Sequence, residues 1–491
     1  MQVTLGADGQ HTRIVLHPTA TEAASLPRTD CQVWTGPSWS PDDVHPDLLA
    51  LALLLLCRPA VADQLQLPRA VSPRFAAAAH HLAGLTLSPV DDQLAPRTPP
   101  AAGVPGLCFS GGIDSVAALT VLPSTTRCYF LERRVPEGGA TRLLSPEAGL
   151  ASVEGVRTRG RAVRVVPTDL EYLRDPPGFP EHYANAVPAL LHADVDHLAT
   201  IGWGLLMESA YRIGRARFVD YLDRAYNRRW HGLFAAAGLP MWNPVMGVSE
   251  VGTAILAAQG PYEGLAQSCV RAPLGTPCGA CVKCFRKLVV GAATSGAWPD
   301  DGRWRALLRA YPVRRYLATV PLHQPAGLLW SLQRYPGRDP VLLAVRERLE
   351  VASQDVSFVA HWYPPAQEHW PSTPGNAEVV TALDTLLGRM STEEEATLRA
   401  FDLVTTEVRP EVAAFAAATA RLADRRAALD GGPTPKPSVE DESLRVIQEA
   451  LHDLERRLTA SEARAEDVLH STSYRLGHAL VRPVARLRRR R

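Results

Sequence analysis

No stretch of this chain is apolar enough to cross a membrane as a helix; the longest apolar run, 48–57, is about half a span. The first residues also lack the basic-then-apolar pattern of a secretory signal, which predicts a cytoplasmic protein. Cysteines number eight in 491 residues. In a reducing compartment so few indicate metal ligands or free thiols rather than a disulfide frame. No local signature of a class I glutaminase occurs, and no separate Ser-His-Asp or Cys-His nucleophile set can be read. Net charge is nearly absent as well, at +1. That value hides an asymmetry, because 470–491 holds seven arginines and no acid, so the rest of the chain sums to 1 − 7 = −6.

What is present is an ordinary globular composition, 46% hydrophobic and 21% charged, long enough for roughly three domains. Residues 1–103 read as a small α+β domain: strands near 2–6, 13–17 and 31–35, helices near 46–57 and 74–82. The Pro/Gly/Ala stretch LAPRTPPAAGVPG then reads as a linker. Beyond it, apolar runs at 106–109, 127–132, 161–167, 197–203 and 240–245 alternate with helical patterns. This alternation predicts an α/β fold, a mostly parallel sheet with helices on both faces. A mainly helical region covers 291–432, and a linker covers 433–443. In 444–469 apolar or small residues alternate at spacings of three and four, from Leu444 to Val468, the seam of a short coiled coil or of a helix docked on its own body. A basic tail, 470–491, ends the chain.

The stretch VPGLCFSGGIDSVAALTVL carries the first chemistry. A strand ending near Phe109 runs through Ser110, Gly111, Gly112, Ile113, Asp114 and Ser115 into a helix. Exposed amides at a helix start, with glycines that let an anion approach closely, favour phosphate. Ser110 and Ser115 can add hydroxyl donors, while Asp114 suits a magnesium ion or a helix cap. The bland alternative is a tight turn with Asp114 as N-cap. It is not a Walker A loop, since no lysine follows the glycines. The second cluster is Cys269-x8-Cys278-x2-Cys281-x2-Cys284, whose four thiolates can close tetrahedrally on zinc with no position left for substrate. A structural ion is therefore expected.

The Ser-Gly-Gly-x-Asp-Ser stretch resembles the pyrophosphate loop of the N-type ATP pyrophosphatases, the PP-loop superfamily, with an adenine nucleotide alpha-hydrolase-like fold. With the cysteine cluster and Arg286, 104–290 is similar to 7-cyano-7-deazaguanine synthases. The resemblance implies ATP and magnesium at 110–115, with Ser110, Asp114 and Ser115 catalytic and Gly111, Gly112 and Ile113 holding pyrophosphate. It also implies adenine contacts from the backbone at Phe130 and Leu131, and zinc on the four cysteines. The implied activity splits ATP into AMP and pyrophosphate and activates a carboxylate or amide oxygen of a small-molecule acceptor for ammonia or an amine. Modified-nucleoside and surface-polysaccharide synthesis are the two settings.

Departures from that family are specific. GWGLLMESAY puts Glu208 where the family has Asp and keeps Tyr211. The base-pocket segment reads YRIGRARF instead, and the lysine expected after the fifth strand falls at Ser249 and Glu250. Arg133, Arg134 and Arg212 are the substitutes weighed for that charge. HADVDH, 192–197, reads as a polar loop more than a metal site, and HWYPPAQEHW as a segment packing its tryptophans more than a base or sugar pocket.

The tail, with Ser473, Arg475, Leu476, Gly477, Leu480 and Pro483, resembles ends that follow coiled coils in bacterial surface-polysaccharide glycosyltransferases. It implies a peripheral position on the anionic inner face of the membrane, against a solvated charge run or a weak nucleic-acid site. The heptad seam implies a homo-oligomer. The acidic balance of the remainder disfavours nucleic acid and hence tRNA thiolation, one rival reading. The other rival is a non-enzymatic nucleotide-binding scaffold.

Overall fold

A computed structural model describes residues 1–403 except 9, 137–146, 270 and 320. The second linker, the heptad seam and the basic tail lie outside the described residues. The chain divides into two units, and the first, Met1–Val313 with His323–Val404, contains the sheet and all the candidate site residues.

The protein is α/β, with a nine-stranded, mostly parallel sheet. Its strands are β1 (Gln2–Asp8), β2 (His11–His17), β3 (Asp30–Trp34), β4 (Gln64–Val71), β5 (Thr86–Val90), β6 (Val104–Cys108), β7 (Arg127–Arg133), β8 (Val163–Thr168) and β9 (Leu198–Gly202). They lie in the order β5-β4-β1-β2-β3-β8-β7-β6-β9. The four strands β8-β7-β6-β9 are parallel throughout. Cys108, Cys128, Tyr129, Phe130 and Leu131 are all buried, as expected where helices cover both faces.

β3 and β8 make one sheet of the two regions, although their antiparallel pairing is a single register pair, Val33 with Thr168. Side chains reinforce it: the Thr168 hydroxyl donates to the Gln32 carbonyl at 2.7 Å, and the Gln32 N–H donates to Asp169 at 2.6 Å. Two cavities of about 610 and 680 Å³ border the seam and share Trp34 as a wall. The stretch read as a linker is also tied down. Arg97 is buried, with its guanidinium on Asp194 and on the carbonyls of Gly238 and Leu198. A composition that offers no apolar core can still be anchored by one paired cation.

The apolar run at 48–57 belongs to a helix, Pro46–Cys57, buried at every position. Among the described residues no helix is long and apolar enough to cross a membrane. The strand expected at 240–245 is not formed. Only Met241 bridges, to Ile201, because Pro240 and Pro244 cannot donate to a ladder. Two unexpected strands, β4 and β5, extend the other edge.

The tryptophans of 361–370 pack on the body, as expected. Trp362 and Trp370 are buried, and their indoles donate to Asp384 and to the Asn243 carbonyl.

Candidate functional site

β6 ends at Cys108 and the helix Ile113–Val121 follows the loop, with Gly112 as its N-cap. The alternative with Asp114 as cap is therefore overturned: Asp114 lies in the helix's first turn. Its N-cap residue has no side chain to cap it, and of the leading amides Ile113 donates to Ser268 Oγ while those of Asp114 and Ser115 are left for another acceptor. Gly111 has φ of 72°, and a Cβ there would come within 3.0 Å of Ser152, so the tight turn requires glycine. The Ser110 and Ser115 hydroxyls lie 3.2 Å apart. Ser110 Oγ accepts from the Gly112 N–H at 3.3 Å, and Ser115 donates to the Gly112 carbonyl at 2.9 Å.

The loop stands where the sheet order reverses, with β7 on one side of β6 and β9 on the other. β7 continues to Arg133 past Tyr129, its last residue in register with β6, opposite Cys108. The backbone of Phe130 and Leu131 is thus beyond β6 while still paired to β8. On the β9 side, a Cβ on Gly204 would sit 2.4 Å from the Asp114 carbonyl carbon, so two backbones meet there.

A charged cluster lies beneath Asp114. Its Oδ1 accepts from Thr253 Oγ1 and from Lys287 Nζ, both at 3.2 Å. Lys287 is also 3.0 Å from Glu250 Oε1, and Arg286 pairs with Glu250 Oε2. Burial pushes the Glu250 carboxyl up, but Arg286 and Lys287 outweigh it and hold it at about 2. Glu208 faces the same cluster without a cation on it. Burial, with the Glu250 charge adding to it, lifts its carboxyl to about 7 although the Glu250 N–H donates to it at 2.8 Å. Among the described residues nothing hydrogen-bonds to its buried Oε2.

The arginines weighed as substitutes for the missing lysine have other places. Arg133 pairs with Glu171 at 2.7 Å, Arg134 pairs with Glu132 at 3.0 Å, and Arg212 starts a 3-10 turn with left-handed backbone. Lys287, from the cysteine segment, is the cation at the loop, and sequence reasoning missed it. The only signal was its place beside Arg286.

The four cysteines converge, with ligand atoms all within 4.8 Å of one another. Sγ of Cys278 and Cys281 lie 3.7 and 3.5 Å from that of Cys284. A tetrahedral site with Zn–S of about 2.3 Å needs sulfurs about 3.8 Å apart; these two separations are near that, and the four could hold a metal such as zinc. Cys281 also caps the helix Val282–Ser295, its sulfur accepting from the Cys284 N–H at 3.4 Å. Just before Cys269, the Gln267 N–H donates to the Gly111 carbonyl at 2.9 Å, and Ser268 Oγ accepts from the Ile113 N–H at 3.4 Å. The cysteine segment therefore touches the glycine loop at one end and Asp114 at the other.

HADVDH forms no such group. Asp196 is taken by Tyr129, Arg127 and Arg164, Asp194 by Arg97, and both ring nitrogens of His192 by carbonyls.

A family of unknown function (DUF6395) matches residues 229–402, a span that includes the cysteines and Lys287 but not the glycine loop. No curated protein and no solved structure matches the chain.

Proposed function

We propose that this chain is an ATP-dependent adenylating enzyme of the PP-loop ATP pyrophosphatase type. It moves AMP from ATP to a carboxylate or amide oxygen of a small-molecule acceptor, and ammonia or an amine then displaces the AMP. The observation that carries the reading is the position of the 110–115 loop, at the carboxyl end of β6 where the strand order reverses. Ligand crevices of open parallel sheets form at such switch points.

Each part of the site has a task in this reaction. The acceptor oxygen bonds to the α-phosphorus as the bond to the bridging oxygen breaks, and the electron pair leaves with pyrophosphate. The Asp114 and Ser115 amides of the loop helix, the Gly111 and Gly112 backbone and the Ser110 and Ser115 hydroxyls meet the growing charge. The β7 backbone at Phe130 and Leu131 holds adenine, and Asp114 orients toward the phosphates. Magnesium, when bound, neutralises phosphate charge. The four cysteines hold a structural zinc, since four protein ligands leave no open position. In the same reading the heptad seam makes a homo-oligomer and the basic tail holds the enzyme at an anionic inner membrane face.

The test is to incubate purified protein with Mg-ATP, ammonium and fractions of a polar-metabolite extract, beside an Asp114→Ala control, measuring AMP and pyrophosphate by mass spectrometry. AMP that depends on one fraction and vanishes in the control is expected. No AMP above the control in any fraction, from folded and zinc-loaded protein, would favour the scaffold.

A further inference from the structure

Lysine is scarce here: Lys283, Lys287 and Lys436 are the three in 491 residues, among 52 lysines and arginines together. One of them is the cation on Asp114. Lys287 is 15% exposed, and its ammonium spends two of its three donors on Asp114 and Glu250. Among the described residues nothing takes the third. Asp114 is itself 33% exposed, so this pair borders the open side of the loop rather than the deep core.

The acid that anchors Lys287 stands where a phosphate-facing lysine was expected, at the start of the helix Glu250–Gln259. Glu250 is 3% exposed and held by two cations, so it is built to receive a charge from elsewhere. That charge comes from the helix Val282–Ser295, whose first turn carries Cys284 and whose cap is Cys281. Lys287 lies three residues beyond Cys284, about one turn further along. An ion on the four sulfurs would fix the start of the helix, and with it the direction of the lysine.

We propose that Lys287 is the phosphate-facing cation of the nucleotide site, delivered by the cysteine helix, so that metal occupancy of the four cysteines sets nucleotide affinity. This rests on the nucleotide reading above. It requires the third ammonium donor to bind a phosphate oxygen while Asp114 and Glu250 keep the side chain oriented.

The test is isothermal titration of zinc-loaded full chain with magnesium and α,β-methylene-ATP, which cannot be split at the reacting bond. Lys287→Met should weaken binding about tenfold or more, the size of a lost charge-assisted hydrogen bond. Lys287→Arg should recover part of it, and the exposed Lys283→Met should match wild type. Zinc removal from wild type should weaken binding similarly and add little to Lys287→Met. Circular dichroism and zinc content check that each variant is folded; Lys287→Gln, which can still donate to both carboxylates, replaces Met if Met fails that check. Unchanged affinity in folded Lys287 variants would overturn the proposal while leaving the nucleotide reading standing. Additive losses from zinc removal and Lys287→Met would overturn the metal coupling. If wild type does not bind the analogue, both fall together.

Discussion

A carboxyl shut away from water keeps its proton to higher pH, and Glu208 is such a group, lifted from 4.5 to about 7 by burial with the Glu250 charge adding to it. Between those values the folded protein holds a proton that the unfolded chain has released, so stability falls as pH rises through the interval. Glu208→Gln removes the titration while its carbonyl oxygen can still accept from the Glu250 N–H. Between pH 4.5 and 7 wild type should therefore lose up to roughly 3 kcal/mol of unfolding free energy relative to Glu208→Gln, on top of whatever both proteins share from their buried histidines. Urea denaturation of both proteins across that range checks it, and parallel curves would refute it. The sequence identified Glu208 only as a departure from a family pattern. Its perturbation comes first from burial and then from the Glu250 charge, with Arg286 opposing, and these groups are far away along the chain. Lys287 was illegible for the same reason, since it meets Asp114 across 173 residues.

At the scale of elements, legibility followed the physics of burial. Strands covered on both faces read as continuous apolar runs, and β6 to β9 were found nearly where they lie. β4 and β5 were not, because QLQLPRAV and TLSPV each carry a proline that weakens a strand pattern. Conversely, PMWNPV reads as a strand but pairs at one residue. The cysteine spacing was the clearest local signal, yet it does not disclose that Cys281 is both a sulfur of the cluster and the cap of the following helix. The two roles separate by substitution. Cys281→Ser keeps a good cap but loses a thiolate, whereas Cys281→Ala loses both. Both variants should lose most of their zinc and melt lower than wild type, with Ala costing about 1 kcal/mol more than Ser. Metal analysis with thermal melts of the two proteins checks this. Normal zinc content in Cys281→Ser would show that the site does not need its fourth sulfur.

The first unit is held together at a seam between β3 and β8 that composition did not reveal. A proline-rich stretch suggested two bodies joined near residue 103, but the sheet runs through, closed by Val33 and Thr168 and by Arg28 on Asp169 at 2.7 Å. A second layer of contacts bridges the same two regions on the helical side. The helix Pro73–Ala83 lies against the helix Ala225–Ala236, where Arg229 donates to the Leu82 carbonyl at 3.1 Å and a Cβ on Gly232 would strike Leu82 at 2.5 Å. A chain starting at Val104 would leave the edge of β8 open, strip the partner from Asp194 and expose the apolar side of the second helix. An unpaired edge and uncovered apolar surface favour association over folding. Such a chain should be aggregated or lack a cooperative melt, while the full chain melts its sheet in one transition, as calorimetry with sedimentation analysis can show. If the shortened chain instead stays monomeric, binds zinc and melts cooperatively, the glycine loop and cysteine cluster form an independent domain and the continuous sheet contributes little to holding them.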